Sequence, residues 1–464
     1  MAERVQRIDH DKDGKPSVAT EGVTAAPEDP TISRRGFLTG ALGAGAAVVA
    51  AGSEALLAGC SPSKKEPAEQ ELVSHAVADK DVPVMQVLEE QVLEGTGFEE
   101  APFGDYLELI DTFDLPVGSL AFQVDSELVL TLLPTKESDS LRQIGLLDLN
   151  TGELSVLVES PMEKGRNVVI YDARASKTRL IWVELDLGTF GWKTYVATIL
   201  GKVISSASLV EEGDLDYEPP MLAVAGDKVY WTVMPNAEGK ARQEDSYLRM
   251  IPGTQVLGFG QVTPQTLLTS HGRMCTNPLV TEGILTVTPR VDTTNVYHQL
   301  TAIDCKTDKV IAFQVLPQSM KVSDALYYRD GFVFSIDANY NYAGGLRYFG
   351  IYQQLPEGDY LHISKPPTNA IVQIDNVIYT KSTNSILGVD TFKHKLLIVR
   401  TPPLCSDYGE AMVGWGVQER LVTCSIRMRT GGKGPEAVMI RVFNKKQPPE
   451  EEAEPAEEPT EGPA

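Results

Sequence analysis

The stretch Leu147-Asp148-Leu149-Asn150-Thr151-Gly152-Glu153-Leu154 decides how the rest of the chain is read. Leu147 and Leu149 alternate with a polar residue, which is the two-residue period of a strand. Asp148 stands at the head of a turn, where its carboxylate can accept backbone N–H groups. Gly152 supplies a backbone conformation that other residues adopt at a cost. Strand, tight turn and second strand therefore follow within eight residues, an antiparallel hairpin. The pattern returns at Ile303-Asp304-Cys305-Lys306-Thr307-Asp308-Lys309-Val310 and at Val389-Asp390-Thr391-Phe392-Lys393-His394-Lys395-Leu396.

A second hairpin signal repeats around it: a short apolar strand, a polar turn, then a strand rich in β-branched and aromatic residues. Its second strands open at Glu127, Thr178, Asp227, Glu282, Asp330, Asp375 and Glu419. These positions are 44 to 55 residues apart, and long helical periodicity is absent between residues 117 and 444. Two hairpins per unit make four strands in a period typical of a β-propeller blade. The expected fold is all-β, a propeller of seven four-stranded blades over residues 105–444. The last unit shows only three strands. The stretch Tyr106-Leu107-Glu108-Leu109-Ile110-Asp111-Thr112-Phe113 can supply the fourth, so that the N- and C-terminal strands close the ring and remove its free edges.

On this blade rhythm and the Asp-x-x-Thr-Gly turn, residues 105–444 resemble the bacterial TolB-like and related WD40-like or quinoprotein-like propellers. The Trp-Asp and Gly-His pairs of WD repeats and the repeated Trp of quinoprotein blades are missing. The resemblance therefore implies a fold and carries no cofactor with it.

The N-terminal region reads differently. Ser33-Arg34-Arg35-Gly36-Phe37-Leu38 matches a twin-arginine export motif, with Thr39 where Lys is common. An Ala- and Gly-rich apolar run follows and ends in Leu57-Ala58-Gly59-Cys60, the lipobox pattern of one large residue, two small ones and Cys. Small residues let a peptidase approach the backbone, and the Cys60 thiol is the nucleophile that takes a diacylglyceryl group. Glu54 within the run argues against a simple transmembrane helix. The expected organisation is a signal peptide over 1–59, a lipidated Cys60 and flexible tether over 60–104, the propeller over 105–444 and a disordered tail over 445–464. Residues 448–464 hold seven Glu and no base, which cannot bury apolar area. The expected location is the extracytoplasmic face of the cell membrane. The twin-arginine translocase and a lipoprotein signal peptidase are partners during export.

The net charge of -23 argues against a nucleic-acid partner, because phosphate binding needs a basic face. His residues are few, and none forms an H-x-x-x-H or H-x-H pair, so no local metal site is expected. Asp337-Ala338-Asn339-Tyr340-Asn341 begins like a calcium loop, but Tyr342 and Tyr348 stand where Gly and Glu are needed. The same loop offers Tyr340, Tyr342, Arg347 and Tyr348 to a sugar or peptide. Trp182 and Trp231 hold equivalent blade positions and read as core. Cys405 and Cys424 fall on neighbouring strands and are candidates for a disulfide, with free buried thiols as the alternative. No G-x-S-x-G elbow and no phosphate-cradling Gly loop occurs. No cofactor is expected beyond the lipid at Cys60. The function expected is binding or scaffolding of a protein, peptide or glycan. The alternatives are a hydrolase or lyase with its site at the central channel mouth, which leaves no linear motif, and an accessory lipoprotein of an exported redox complex.

Overall fold

Between Leu107 and Lys445 regular structure is almost entirely β-strand, in short apolar runs bounded by polar turns. The structure, a computed structural model, describes residues 92–94 and 98–446 apart from 136–137, 256, 258–261, 292–294, 319, 321, 337–349, 355–357, 364–370, 383 and 432–433. Among them the sole named helix is a single 3-10 turn, Phe103–Asp105.

The strands fall into seven sheets. Numbered along the chain, sheet 1 takes Leu120–Gln123, Leu128–Thr135, Ser138–Asp148 and Leu154–Val158. Sheet 2 takes Val168–Ala175, Arg179–Asp186 and Trp192–Leu200, with an outer position shared by Val203–Ile204 and Ser208–Gly213. Sheet 3 has an inner position shared by Tyr217–Glu218 and Leu222–Ala225, then Lys228–Pro235, Ser246–Ile251 and Gln265–Ser270. Sheet 4 is Leu279–Thr281, Ile284–Val287, Gln299–Asp304 and Lys309–Val315. Sheet 5 is Val322–Tyr328, Gly331–Ile336, Gly350–Gln354 and Tyr360–Ile363. Sheet 6 is Ile371–Ile374, Val377–Lys381, Ser385–Asp390 and Lys395–Arg400.

These six are blades built around four consecutive strand positions. Sheet 7 is composite: Cys405–Met412, Arg420–Met428 and Pro435–Lys445 come from the end of the chain, and Leu107–Leu115 comes from its beginning. Leu107 lies opposite Lys445 and Leu115 opposite Val438 in an antiparallel ladder. The expected count of seven four-stranded blades is corrected to six, beside one composite sheet in which the N- and C-terminal strands pair as expected. Six blades are continuous in sequence, and sheets 5 and 6 carry extra strands at their edges.

Apolar clusters join successive sheets. Ile181 and Val183 meet Val229 and Trp231; Leu248 and Tyr230 meet Leu285 and Ile303; Leu300 and Ala302 meet Phe334 and Tyr352. Leu326 and Val333 meet Ile371 and Ile378; Tyr379 and Leu397 meet Leu421 and Phe443. Val422 and Ile440 of sheet 7 meet Val129 and Leu147 of sheet 1, which returns the order to its start. Sheets 1 and 2 touch directly, and the Arg142 guanidinium donates to the Val168 carbonyl at 2.7 Å. The fold is an all-β propeller. Each sheet alone has too little core, and the ring supplies a neighbour on both faces.

Two short strands lie inside the stretch expected to be flexible tether. Val92–Glu94 adds in parallel to the outer edge of sheet 5, and Glu99–Ala101 adds in parallel to the outer edge of sheet 6. The ordered rim therefore begins before residue 105. Backbone hydrogen bonding to an open sheet edge drives this, a signal that carries no side-chain pattern.

Candidate binding site

The first strand of each sheet faces the middle of the ring, where its side chains would line a channel. Residues Val413–Gln418 fill that space. The Gln123 N–H of sheet 1 donates to the Val413 carbonyl at 3.1 Å. The Trp415 indole N–H donates to the Val280 carbonyl of sheet 4 at 3.2 Å, and the Val417 N–H donates to Thr281 Oγ1 at 2.9 Å. Gly416–Val417 pairs in parallel with Val372–Gln373 of sheet 6. The Arg174 guanidinium of sheet 2 lies between the Phe122 ring at 4.0 Å and the Trp415 ring at 5.4 Å, a cation–π sandwich. Arg174 is itself buried and paired with Asp172 at 2.5 Å.

The sequence permits this crossing through its glycines. Gly416 has φ +68, and a Cβ there would stand 2.4 Å from Thr281 Oγ1. A Cβ on Gly414 would stand 2.4 Å from Gln123 Oε1. The run Val413-Gly414-Trp415-Gly416-Val417 is thus a thin backbone carrying one large anchor. Sequence reading passed over it; the two glycines flanking a tryptophan were the available signal.

A second feature opens to solvent. The connections that enter and leave sheet 2 frame a cleft of about 560 Å³. Its lining holds Glu163, Glu184, Asp186, Glu212 and Asp214 against Lys164 and Lys193, five carboxylates to two ammonium groups. Glu184 is buried and structural. It accepts the Met162 N–H at 2.7 Å, the Glu163 N–H at 3.0 Å and the Trp182 indole N–H at 3.0 Å. This clamps the loop that carries Glu163 onto the sheet. The Lys193 ammonium at 2.8 Å and the Tyr195 hydroxyl at 3.1 Å donate to Glu163 and hold its carboxyl below the usual range. Glu212 and Asp214 are exposed. Between them Gly213 lies flat under Trp192, where a Cβ would stand 2.2 Å from the indole. The Trp192 N–H donates to the Tyr217 carbonyl at 3.1 Å, and the Tyr217 hydroxyl donates to Glu244 at 2.6 Å, which raises that hydroxyl's pKa to about 12. The floor is thus aromatic and rigid, and the rim is anionic.

Among the described residues no group of three or more His, Cys, Asp or Glu is arranged to hold a metal ion. The histidines are scattered. His298 Nδ1 lies 3.2 Å from the Met320 carbonyl, His362 stacks on Tyr352, and His394 lies against Phe98.

The sequence-derived sites fare unevenly. Arg34, Arg35, Cys60 and the loop residues Tyr340, Tyr342, Arg347 and Tyr348 lie outside the described residues. The Cys405–Cys424 disulfide is corrected: both are free thiols. Cys405 is in register with Arg427, and a bulge leaves Cys424 opposite Ala411. Cys405 Sγ lies 3.5 Å from Ser425 Oγ, so Cys424, one residue away, projects from the other face of its strand. Burial pushes the Cys424 thiol up to about 12. Trp182 and Trp231 are fully buried, as read from their blade positions.

No known protein family and no curated protein matches the chain in sequence. Solved structures with a similar course include three of different kinds. A chain of the mitotic checkpoint complex is 8% identical, with 84% of this chain and 98% of that one covered and a TM-score of 0.41. One of two prolyl endopeptidases is 10% identical, with 71% and 50% covered and a TM-score of 0.46. BamB from Moraxella catarrhalis is 10% identical, with 73% and 99% covered and a TM-score of 0.36. At these identities the likeness is one of fold, and the propeller stands on the strand pairing itself.

Proposed function

We propose that this chain is an exported, lipid-anchored propeller that acts as a binding or scaffolding module. Its acidic cleft on sheet 2 would take a basic segment of a protein or peptide partner. The observation that carries the reading is the plug. Val413–Gln418 fills the space where converging catalytic side chains would stand, and the charge beside it, Arg174, is already committed to Asp172, Phe122 and Trp415. That disfavours a hydrolase or lyase working at the channel mouth. The cleft, by contrast, is open, holds more acid than base, and has a floor fixed by Trp192 and Glu184. Such a site attracts a cation-rich ligand by charge, and the buried Trp192 beneath Gly213 fixes the backbone between the rim carboxylates Glu212 and Asp214.

Binding of a short fluorescent lysine-rich peptide, followed by anisotropy, tests the cleft. Glu212→Lys with Asp214→Lys should weaken it by about tenfold or more, and added salt should weaken the wild type. Equal binding by both proteins rejects the cleft as the site. The anchor rests on the sequence motifs and has its own test. Cys60→Ala should abolish lipid labelling, and Arg34→Lys with Arg35→Lys should block export. Lipid incorporation in the first variant, or normal export of the second, would sink that part.

A further inference from the structure

The acidic cleft of sheet 2 carries apolar side chains beside its lining. Met162 precedes Glu163 and is 49% exposed, Phe190 stands between Thr189 and Gly191 and is 55% exposed, and Leu215 follows Asp214 and is 60% exposed. Glu163, Thr189, Gly191 and Asp214 all line the cleft. The three apolar residues come from separate connections between strands, 159–167, 187–191 and 214–216. One exposed apolar residue is ordinary on a protein surface; three gathered around one cleft mark an interaction site. The cleft's own tryptophan, Trp192, is buried beneath Gly213, so apolar contact with a ligand falls to these three.

Phe190 adds a separate sign. Its φ is 60, in the left-handed region that disfavours any residue with a Cβ. The turns that open at Asp148, Asp304 and Asp390 place Gly152, Asp308 and His394 in that conformation, none of them a large apolar residue. More than half exposed, the Phe190 ring gains too little packing within the chain to offset its backbone cost. A strained residue kept without an internal return points to a role outside the fold. Charge then narrows the occupant. Beside the apolar side chains stand Glu163, Asp186, Glu212 and Asp214. Such a rim repels the phosphates of an anionic bilayer and attracts Lys and Arg.

We infer that the cleft takes an amphipathic basic segment, whose apolar side chains seat on Met162, Phe190 and Leu215 while its Lys or Arg residues reach the carboxylates. The inference rests on the reading of the cleft as a site for a basic segment and supplies the apolar half of the ligand. A segment with charge alone satisfies only the carboxylates, and one with apolar side chains alone leaves them without a partner.

Two fluorescent peptides of equal length and charge test this on the full chain, one in which Lys alternates with Ser and one in which Lys alternates with Leu. The Leu peptide should bind about tenfold or more tighter and keep more of its binding as salt is raised. Met162→Ser with Phe190→Gly and Leu215→Ser should bring the two peptides to equal affinity; all three side chains are exposed, so the fold is spared. Glu212→Lys with Asp214→Lys should weaken both. Equal affinity of the two peptides for the wild type, with both weakened by the charge reversal, overturns the apolar half and leaves the basic-segment reading standing. Indifference of both peptides to the charge reversal rejects that reading itself, and this inference with it. A preference for Leu that persists in the triple variant places the apolar contact elsewhere and overturns the assignment. Retention of phosphatidylglycerol vesicles by the wild type but not by the triple variant would assign the three side chains to a bilayer and overturn it too.

Discussion

Asp148, Asp304 and Asp390 each open a turn that closes on a residue in the left-handed region, Gly152, Asp308 and His394. At Asp304 the Lys306 N–H and the Thr307 hydroxyl, each at 2.8 Å, hold the carboxyl below its usual range. A fourth copy runs from Asp186 to Phe190, where the Phe190 N–H donates to the Asp186 carbonyl at 2.7 Å with φ 60 at Phe190. Neither Thr-Gly nor a basic residue marks that copy, so the sequence signal missed it. Phe190 is exposed, and only its backbone is strained. Phe190→Gly should therefore stabilise the protein by about 0.5–1 kcal/mol, seen as a higher denaturant midpoint at unchanged slope. Lys381 makes a pH-dependent counterpart. Burial outweighs the attraction of Glu410 and lowers its ammonium pKa from 10.5 to about 8. Below pH 8 both states hold the proton and the folded state bears the penalty. Between about 8 and 10.5 only the unfolded state holds it, so stability from this group rises with pH. Cys424 acts the opposite way above pH 9 because its thiol is raised. The difference between wild type and Lys381→Met should thus narrow as pH rises from 8 to 10.5. A difference independent of pH over that range would remove Lys381 from the account.

At the scale of elements, sheet 7 is held by charge as well as by its ladder. Glu410 is fully buried and accepts from Arg441 Nε at 2.7 Å, while the Thr423 hydroxyl donates to the same carboxylate. The Arg441 guanidinium also reaches the Arg400 carbonyl of sheet 6 at 3.1 Å. Removing one partner strands the other without solvent. Glu410→Ala should cost about 3–5 kcal/mol, measured by chemical denaturation, far more than loss of an exposed pair such as Lys202 with Glu153. The seven apolar second strands were legible because each is a short run rich in β-branched and aromatic residues that follows a polar turn; all seven lie at second-strand positions. The plug and the rim strands were not legible. Val413–Gln418 is a short glycine-rich run that lies between two strands of one blade, and Glu99–Ala101 is held by backbone pairing that any sequence can make. The acidic cleft was invisible for another reason. Glu163, Asp186 and Glu212 are scattered in sequence, and the turns of a folded blade gather them.

For the whole molecule, sheet 7 is where the ring is joined. Arg427 meets Asp114 at 3.0 Å across 313 residues of chain, and Leu109 to Leu115 pairs with Val438 to Phe443. Deleting residues 105–116 should expose the edge of Pro435–Lys445, lower the thermal midpoint and raise light scattering, whereas deleting 448–464 should alter neither. A truncated protein with an unchanged midpoint would show that the join does not hold the ring. The same join sets a schedule during synthesis. Leu107–Leu115 is made before any complete blade exists, yet its partner Pro435–Lys445 follows only after all six continuous blades. Until residue 445 is available the early strand has no ladder and the growing array ends in an open edge. Contacts this distant in sequence form slowly. The propeller therefore becomes a finished body only once Pro435–Lys445 has emerged, and until then its vulnerability to proteolysis and aggregation is concentrated at one seam.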